Sequence, residues 1–162
     1  MIADPADIFS LTENDFLQLP LFKEKKVENV MERIERARYS PLDRFLFALG
    51  IRHVGRETAD ILAHRLPWKT KRLTVKERKK VAEEKPTLFP SSPTSLTSTT
   101  SLQAIHLSDF LKTLQDTSLE DLEAIEGIGE VVARAIKDWV ADPDHRRLLH
   151  KFETGGVVCL LP

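Results

Sequence analysis

The sequence has 162 residues, of which 41% are hydrophobic, and its formal net charge is −1. This balance is typical of a globular protein of one domain, or of one domain with a flexible segment. No stretch approaches the roughly 18 uncharged apolar residues of a membrane-spanning helix, and the N-terminus lacks the basic flank and apolar run of a secretory signal. The single cysteine, Cys159, excludes an internal disulfide and a multi-cysteine zinc site within the chain. We therefore expect a soluble, intracellular protein.

The charge is unevenly distributed along the chain. Residues 1–66 carry 10 Lys and Arg against 11 Asp and Glu, residues 67–104 carry 8 against 3, and residues 105–162 carry 6 against 11. The middle of the chain is therefore basic and the C-terminal third is acidic. A net charge close to zero is unexpected for a protein that binds nucleic acid.

The first 66 residues carry the start and stop signals of successive helices. The start signals are an N-cap with a capping box and a serine N-cap followed by proline, and the stop signals are glycine and proline. In chain order these residues are Thr12 with Asp15, Ser40 with Pro41, Gly50, and Pro67. Between them, residues 24–38 place apolar side chains at helical spacing. This part of the chain is predicted to be helical throughout.

Residues 67–104 differ in composition from the rest of the chain. Residues 69–85 are mostly charged and basic, and residues 86–101 are rich in Pro, Ser and Thr with few apolar side chains. Such a segment cannot bury enough apolar surface to offset the ~1–2 kcal/mol per residue that ordering the backbone costs. We expect an insertion over 67–104 that is largely disordered, and for its basic part a solvated surface is favoured slightly over a phosphate-tracking arm.

Helix signals return over residues 105–156. A Ser118-x-x-Asp121 pattern predicts a helix N-cap, Gly127 and Gly129 interrupt the next apolar run, and Asp142 before Pro143 predicts a further N-cap. Residues 157–162 form a short apolar tail after a pair of glycines. The predicted fold class is all-α, with two helical segments, 1–66 and 105–156, separated by the disordered insertion.

A repeated pattern is the most informative feature of the sequence. Each copy has an apolar helix end, a tight turn around an apolar residue, and a second helix that begins with a small residue on its inner face. Three copies align without gaps. Their equivalent residues are Phe16, Leu19, Leu21, Phe22, Lys23, Val27, Val30; Ala48, Ile51, His53, Val54, Gly55, Ala59, Leu62; and Leu122, Ile125, Gly127, Ile128, Gly129, Ala133, Ile136.

The third copy predicts an anion site. Glycines at both ends of a short hairpin allow backbone conformations closed to other residues and a close approach of another molecule. The helix that follows Gly129 presents its first unpaired amides and its positive dipole end outward. On DNA the matching anion is a phosphate, and since backbone amides do not read bases, no sequence specificity is expected. Ile128 is expected to plug the turn, and Ala133 to keep the two helices close.

These residues resemble the helix-hairpin-helix motif, and the chain resembles the helix-hairpin-helix domain of bacterial NAD-dependent DNA ligases. The segment 45–55 (FLFALGIRHVG), continuing to Thr58 and Ala59, is similar to the hairpin signature of that family. Residues 5–12, 24–29, 145–149 and 155–157 are similar to the same domain in order and spacing. The resemblance covers about residues 4–66 and 107–158.

The resemblance implies a partner and a division of labour. In that family four such motifs grip the minor-groove side of nicked duplex DNA, while a separate domain performs adenylation through a Lys-x-Asp-Gly lysine. This sequence contains no Lys-x-Asp-Gly and no four-cysteine zinc module, and the first of the four hairpins is missing. We therefore expect no catalytic residue and no cofactor or metal in the chain. NAD and a divalent metal are expected only in other domains, present in cis or in trans, and the implied location is the bacterial cytoplasm, at the nucleoid and not at a membrane.

The predicted DNA-binding residues are the basic and glycine residues of the three hairpins and of the helices that follow them. They are Lys23, Lys25, Lys26, Arg52, His53, Gly55, Arg56, Gly127, Gly129, Arg134 and Lys137. In the first hairpin Leu21 and Lys23 stand where the third has glycines, so its lysines would have to act as point charges. Glu126 and Glu130 flank the third hairpin and would repel phosphate unless they point away.

Two other functions are compatible with helical hairpins. Helix-hairpin-helix glycosylases and lyases attack a sugar with a lysine or an aspartate beyond the hairpin, which here would be Lys137, Asp142 or Asp144. The Gly/Pro-rich loop of that group is absent, and Asp142 is better explained as an N-cap. A protein-interaction module is the second alternative, and a lack of salt-dependent DNA binding would favour it.

Overall fold

The computed structural model describes residues 2–73 and 103–162. It begins with a 3₁₀ helix, Pro5–Ser10, which is followed by the α-helices α1 to α8 and four short strands. The helices are α1 Glu13–Leu17, α2 Glu24–Ala37, α3 Leu42–Ala48, α4 Arg56–Arg65, α5 Leu107–Asp116, α6 Leu119–Glu123, α7 Glu130–Ala141 and α8 Pro143–Thr154. The strands are β1 Tyr39–Pro41, β2 Lys71–Arg72, β3 Gln103–Ile105 and β4 Val158–Leu160.

The helices agree with the prediction, but the fold class all-α needs a correction because the strands form one sheet in the order β1-β4-β3-β2. Strand β4 pairs in parallel with β1 and antiparallel with β3, and β3 pairs antiparallel with β2. The predicted apolar tail 157–162 therefore contains an inner strand of the sheet. Its residues alternate between two cores, since Cys159 packs with the helices whereas Val158 and Leu160 pack with Leu73 on the other face.

The margins of the predicted insertion 67–104 also belong to the fold. Lys71 and Arg72 pair with Gln103 and Ala104 in the β2–β3 ladder. Just before β2, the Trp68 ring stacks on Phe110 with centroids 5.3 Å apart, and its Nε1 donates to backbone carbonyls of the last turn of α4. The segment predicted as disordered thus begins and ends with ordered residues, and its remainder, 74–102, lies outside the described residues.

The helix N-caps test the local predictions. Ser118 Oγ accepts from the Asp121 amide at 3.0 Å, and the Asp142 carboxylate accepts from the Asp144 amide at 2.8 Å, so both predicted caps are confirmed. At the predicted capping box of α1, the Asp15 carboxylate accepts from the Thr12 amide at 2.8 Å. The prediction for Ser40 is wrong: this residue lies in β1, which pairs with β4, and α3 begins only at Leu42.

One hydrophobic core joins the two halves of the chain. Its fully buried side chains come from helices on both sides of the predicted insertion and include Leu42, Leu46, Leu62, Phe110, Leu114, Leu122 and Ile136. Burying each such side chain stabilises the fold by roughly 1.5–3 kcal/mol before conformational entropy is counted. The hairpins of the two halves are therefore fixed relative to each other by a shared core.

The N-terminal 3₁₀ helix is attached to α8 by an ion cluster. Lys151 Nζ lies 2.5 Å from an Asp4 carboxylate oxygen and 2.6 Å from one of Asp7. Phe9 packs edge-on against Phe152, with ring centroids 5.9 Å apart. The hydrogen bond from Lys151 and those from the backbone amides of Ala3 and Asp4 lower the pKa of Asp7 to about 2.

Candidate nucleic-acid interface

The three predicted hairpins share a positive φ angle at one equivalent position. We define hairpin 1 as residues 18–23, between α1 and α2; hairpin 2 as 49–55, between α3 and α4; and hairpin 3 as 124–129, between α6 and α7. The third residue from the end of each has a positive φ, which is 73° at Leu21, 66° at His53 and 93° at Gly127. Such values are rare for residues other than glycine, so their recurrence at equivalent positions confirms the repeat.

The turn after each first helix is closed by the same backbone hydrogen bond. It joins the amide of the central apolar residue to the carbonyl three residues earlier, with lengths of 3.2 Å in hairpin 1 and 3.0 Å in hairpins 2 and 3. The donors are Phe22, Val54 and Ile128. Val54 and Ile128 are buried, which confirms them as plugs of their turns, and Phe22 is half-buried against the ring of Phe16.

The gap-free alignment is wrong at one position. Hairpin 2 is one residue longer than the others, because Gly50, with a φ of 66°, and Ile51 together occupy the place that Leu19 takes in hairpin 1 and Ile125 in hairpin 3. The Gly50 amide donates to the Phe47 carbonyl, as the equivalent amides of hairpins 1 and 3 donate to Phe16 and Leu122. Phe47 rather than Ala48 is therefore the structural equivalent, and it is 45% exposed.

The second helix of each hairpin begins without a side-chain cap. The residue before the helix is extended in all three cases: Lys23 before α2, Gly55 before α4 and Gly129 before α7. Glycine has no side chain and a lysine ammonium only donates, so none of the three residues can cap the first turn, whereas the side chains of Ser118 and Asp142 do so at α6 and α8. The first amides of α2, α4 and α7 thus keep their donor capacity, and the positive end of each helix dipole coincides with them.

The fold itself gives no reason for glycine at two of these three positions. Gly55 and Gly129 have φ values of −85° and −91°, which any residue adopts, and a Cβ at either position would have no heavy atom within 4 Å. Lys23 occupies the equivalent position of hairpin 1 with a φ of −99°. The glycines leave open space directly in front of uncapped amides, which suits the close approach of an anion.

Gly127, in contrast, is required by the fold. Its φ is 93°, and a Cβ there would lie 2.7 Å from Ile61 Cδ1 on α4. Hairpin 3 therefore packs directly against the second helix of hairpin 2. Of the two glycines of the third copy, Gly127 serves the packing of the hairpins and Gly129 leaves the amide terminus open.

Hairpin 3 packs against α4, and in the same way hairpin 2 faces α7. A cleft separates hairpin 2 from α7. Arg52 and His53 line it together with Ala135, which is equivalent to Ile61 in the aligned copies, and the cleft has a volume of about 590 Å³. The smaller side chain at 135 leaves unfilled the space that Ile61 fills on the other side. Stacked rings of Trp139 and His145, with centroids 4.4 Å apart, form another part of its wall.

Comparison with known proteins agrees with the repeat. The family described as helix-hairpin-helix motif matches residues 44–73 and 104–149, which contain hairpins 2 and 3. DNA ligases of Frankia casuarinae, Chloroflexus aggregans and Aquifex aeolicus are 34%, 32% and 32% identical over 96%, 97% and 95% of this chain. The chain spans about a sixth of these relatives, 16%, 17% and 16% of their lengths.

This chain belongs to the helix-hairpin-helix domains of the DNA ligase family. The interval that the family match omits, 74–103, nearly coincides with the predicted insertion. Within the described residues, no helix is long and apolar enough to cross a membrane.

The predicted basic residues of the helix-hairpin-helix domain divide into two groups. Arg52, His53 and Arg56 are exposed at hairpin 2, and the Arg56 guanidinium lies 5.4 Å from the centroid of the Phe47 ring. Arg134 is exposed on α7 and lines the cleft with Arg52 and His53. The structure thus brings together cations from hairpin 2 and from α7.

The three predicted lysines of hairpin 1 form the other group. Lys23, Lys25 and Lys26 are exposed, and the Lys26 ammonium lies 4.2 Å from the centroid of the Phe22 ring. Their roles in DNA binding remain predictions, as do those of the residues at hairpins 2 and 3.

Lys137 has a structural role. Its Nζ donates to the carbonyls of Leu114, Gln115 and Thr117, at 3.2, 3.0 and 2.7 Å. These carbonyls lie at the C-terminal end of α5 and lack partners within their own helix, so the ammonium group caps the helix with all three of its donors. Lys137 was predicted among the DNA-binding residues, and this capping role gives a different reason for its presence.

The acidic residues near hairpin 3 are exposed. Glu130, the first residue of α7, forms an ion pair of 2.6 Å with Arg134 one turn later, and both side chains are about two-thirds exposed. Glu126 is exposed. The Arg134 charge offsets that of Glu130 locally, although exposed pairs of this kind contribute little to stability.

Two of the side chains that a lyase or glycosylase mechanism would use have other partners in the structure. Asp142 is occupied as the N-cap of α8, the Lys137 ammonium is occupied by three carbonyls, and no group of His, Cys, Asp and Glu in 2–73 and 103–162 could hold a metal. Sequence reasoning missed Phe47, Ile61 and Ala135 as parts of the site. The extra residue Gly50 before the turn is the signal that could have revealed the exposure of Phe47.

Proposed function

We propose that this helix-hairpin-helix domain binds the sugar-phosphate backbone of duplex DNA without reading base sequence, as part of an NAD-dependent DNA ligase that seals nicks in replication and repair. One observation carries the proposal: uncapped helix amides at α4 and α7 lie behind glycines that the fold does not require, with open space in front of them.

The physical basis is the match between these amides and a phosphate. A phosphate oxygen accepts hydrogen bonds from the first-turn amides and lies at the positive end of the helix dipole. A hydrogen bond to a charged group contributes about 1.5–3 kcal/mol. Arg52 and Arg56 add positive charge near the two sites, and Arg134 offsets the charge of Glu130, so a net charge of −1 for the whole chain is compatible with binding a polyanion here.

The relatives supply the wider context of the proposal. They are DNA ligases about six times as long as this chain. In such an enzyme the domain would bind the minor-groove side of the nicked duplex. NAD and a divalent metal would act in other domains, which are present in cis or in trans. Linking the domains raises the effective concentration of each on the DNA, so modest affinity of this part is sufficient. Its site of action would be the nucleoid in the cytoplasm of a bacterium.

The test is a titration of the 162-residue chain into nicked, intact and sequence-scrambled duplexes at several salt concentrations. Four to six phosphate contacts would give a slope of log K against log salt of roughly −4 to −5, and a dissociation constant on the order of 10⁻⁴ to 10⁻⁶ M at physiological salt. Substituting Arg52→Gln or Arg56→Gln should each make the slope about one unit shallower. Arg147→Gln is the matched control, since Arg147 is 78% exposed on α8 and pairs only with Asp144 among the described residues.

A protein-interaction module is the second candidate, and one observation favours it. Leu17, at the end of α1, and Leu19, in hairpin 1, are each 47% exposed. If no duplex binds even at low salt, this second function replaces the first.

A further inference from the structure

Exposed apolar side chains are concentrated at the hairpins. Among the described residues beyond the 3₁₀ helix, every exposed large hydrophobic side chain lies inside a hairpin or within two positions of one. These side chains belong to Leu17, Leu19, Leu21, Phe47 and Val131. Scattered exposed hydrophobic residues are normal on a protein surface, so their position, rather than their number, is the informative feature.

Phe47 and Val131 lie beside the two uncapped helix termini. The ring of Phe47 faces the guanidinium of Arg56, which is the first residue of α4. Val131 is the second residue of α7, is 64% exposed, and lines the cleft together with Arg52 and Arg134. At each terminus an apolar surface is therefore paired with a cation.

This pairing matches the chemistry of a nucleic-acid strand, in which a sugar directly follows every phosphate. A phosphate held by the first amides of α4 or α7 places a neighbouring sugar against the side chains at that terminus. A deoxyribose offers carbon-bound hydrogens there and loses little when water is removed. A ribose offers a 2′-hydroxyl, which loses its water partners against an apolar side chain and gains no hydrogen bond.

We propose that Phe47 and Val131 contact the sugars next to the bound phosphates and select deoxyribose over ribose. The selection rests on the proposed function, because the amides must first hold the phosphates. It adds a specificity that backbone amides alone lack, since amides bind the phosphates of DNA and RNA equally. Leu21, 89% exposed in hairpin 1, offers a third side chain of this kind.

The test must separate the 2′-hydroxyl from the shape of the groove, because a hybrid of DNA and RNA is closer to the A form than DNA is. Hybrid duplexes of one sequence, with one strand either ribose or 2′-fluoro-2′-deoxyribose, have similar A-type shapes and differ in the hydroxyl. Their affinities for the 162-residue chain are measured by fluorescence anisotropy, together with those of the all-DNA duplex. The variants are Val131→Thr, which is nearly isosteric and adds a hydroxyl, and Phe47→Gln, which offers hydrogen-bonding groups to a ribose.

The unaltered chain should bind the 2′-fluoro hybrid roughly fivefold or more tightly than the ribose hybrid, as expected for one unpaired hydroxyl. Val131→Thr and Phe47→Gln should each bring this ratio closer to one. Ile2→Thr is the matched control, because Ile2 is 53% exposed and far from the hairpins in sequence. Circular dichroism of each variant verifies the helical fold.

Any of three results would refute the selection of deoxyribose and leave the proposed function intact. The unaltered chain could bind the two hybrids equally, or the ratio of their affinities could stay the same in both Val131→Thr and Phe47→Gln. The third result is that Ile2→Thr changes this ratio as much as those two variants do. Loss of binding to every duplex, DNA included, would instead refute the proposed function, and the selection with it.

Discussion

Replacing Gly55 and Gly129 together with serine should stabilise the domain and abolish most of its DNA binding. Both glycines are extended N-cap residues with free space where a Cβ would stand. A serine hydroxyl there would accept a hydrogen bond from an amide of the first turn, as that of Ser118 does at α6. The same side chain would fill the space through which a phosphate reaches those amides.

The two effects have opposite signs and can be estimated. Serine in place of glycine at an N-cap adds a few tenths of a kcal/mol per helix, and restricting the unfolded chain adds about 0.4–1 kcal/mol per site. Losing one amide–phosphate hydrogen bond costs about 1.5–3 kcal/mol of binding, which is roughly a ten- to hundredfold loss of affinity per hairpin. Stability and affinity should therefore move in opposite directions.

Urea denaturation measures the stability change, and fluorescence anisotropy with a nicked duplex at low salt measures the affinity. Ser118→Gly is the control, because it removes a cap from a helix whose N-terminus is not a proposed phosphate site. It should lower stability by a few tenths of a kcal/mol and leave the affinity unchanged. If the double variant is folded and binds DNA within about twofold of the original, the amide termini are not the binding groups.

The remaining predictions follow from single contacts. Gly127→Ala should destabilise the domain by about 1–3 kcal/mol in urea denaturation, because residue 127 has a positive φ and an added Cβ would press on Ile61. Adding Ile61→Val to this variant should recover part of the loss. An unchanged denaturation midpoint in Gly127→Ala would contradict the contact between hairpin 3 and α4. Lys137→Met should cost about 1–2 kcal/mol of stability yet leave the salt slope of DNA binding unaltered. The pKa of Asp7 is about 2 in the folded chain and 3.8 in the unfolded chain, so the contribution of the Asp7 carboxylate to stability is present above pH 3.8 and is lost as the pH falls to about 2. The difference in melting temperature between the original chain and Asp7→Asn should therefore disappear as the pH is lowered from 3.8 to about 2. Burial raises the pKa of the Cys159 thiol, so iodoacetamide should label it only after unfolding.

The helical hairpins could be predicted from the sequence because their signals are local. Glycine at 127 and 129, apolar plugs such as Ile128, and small inner residues such as Ala133 each mark one position of a short motif, and the structure places all of them accordingly. The sheet could not be predicted in this way. A strand of three residues such as Val158–Leu160 is too short to show an alternating pattern, and it pairs with Tyr39–Pro41 from the other end of the chain.

The role of a side chain could be predicted from the sequence only where its partner lies a few residues away in the chain. Lys137 is a cation beyond a hairpin in the sequence, but its three acceptors lie at the C-terminal end of α5, 20 to 23 residues away. The contact of Gly127 with Ile61, and the cleft at Ala135, depend on how the hairpins pack through a shared core. Such long-range contacts leave no periodic trace in the sequence.

The most direct test of the account is the amide spectrum of the ¹⁵N-labelled domain during titration with a nicked duplex. We expect the largest shifts at the amides where α4 and α7 begin, residues 55–58 and 129–132, with smaller shifts at 23–26, and we expect all of them to shrink as salt is added. The capped start of α8, residues 142–145, should change little. Shifts confined to α8 or to the sheet, with those amides unmoved while DNA binds, would contradict the central claim that the hairpin amides hold the DNA backbone.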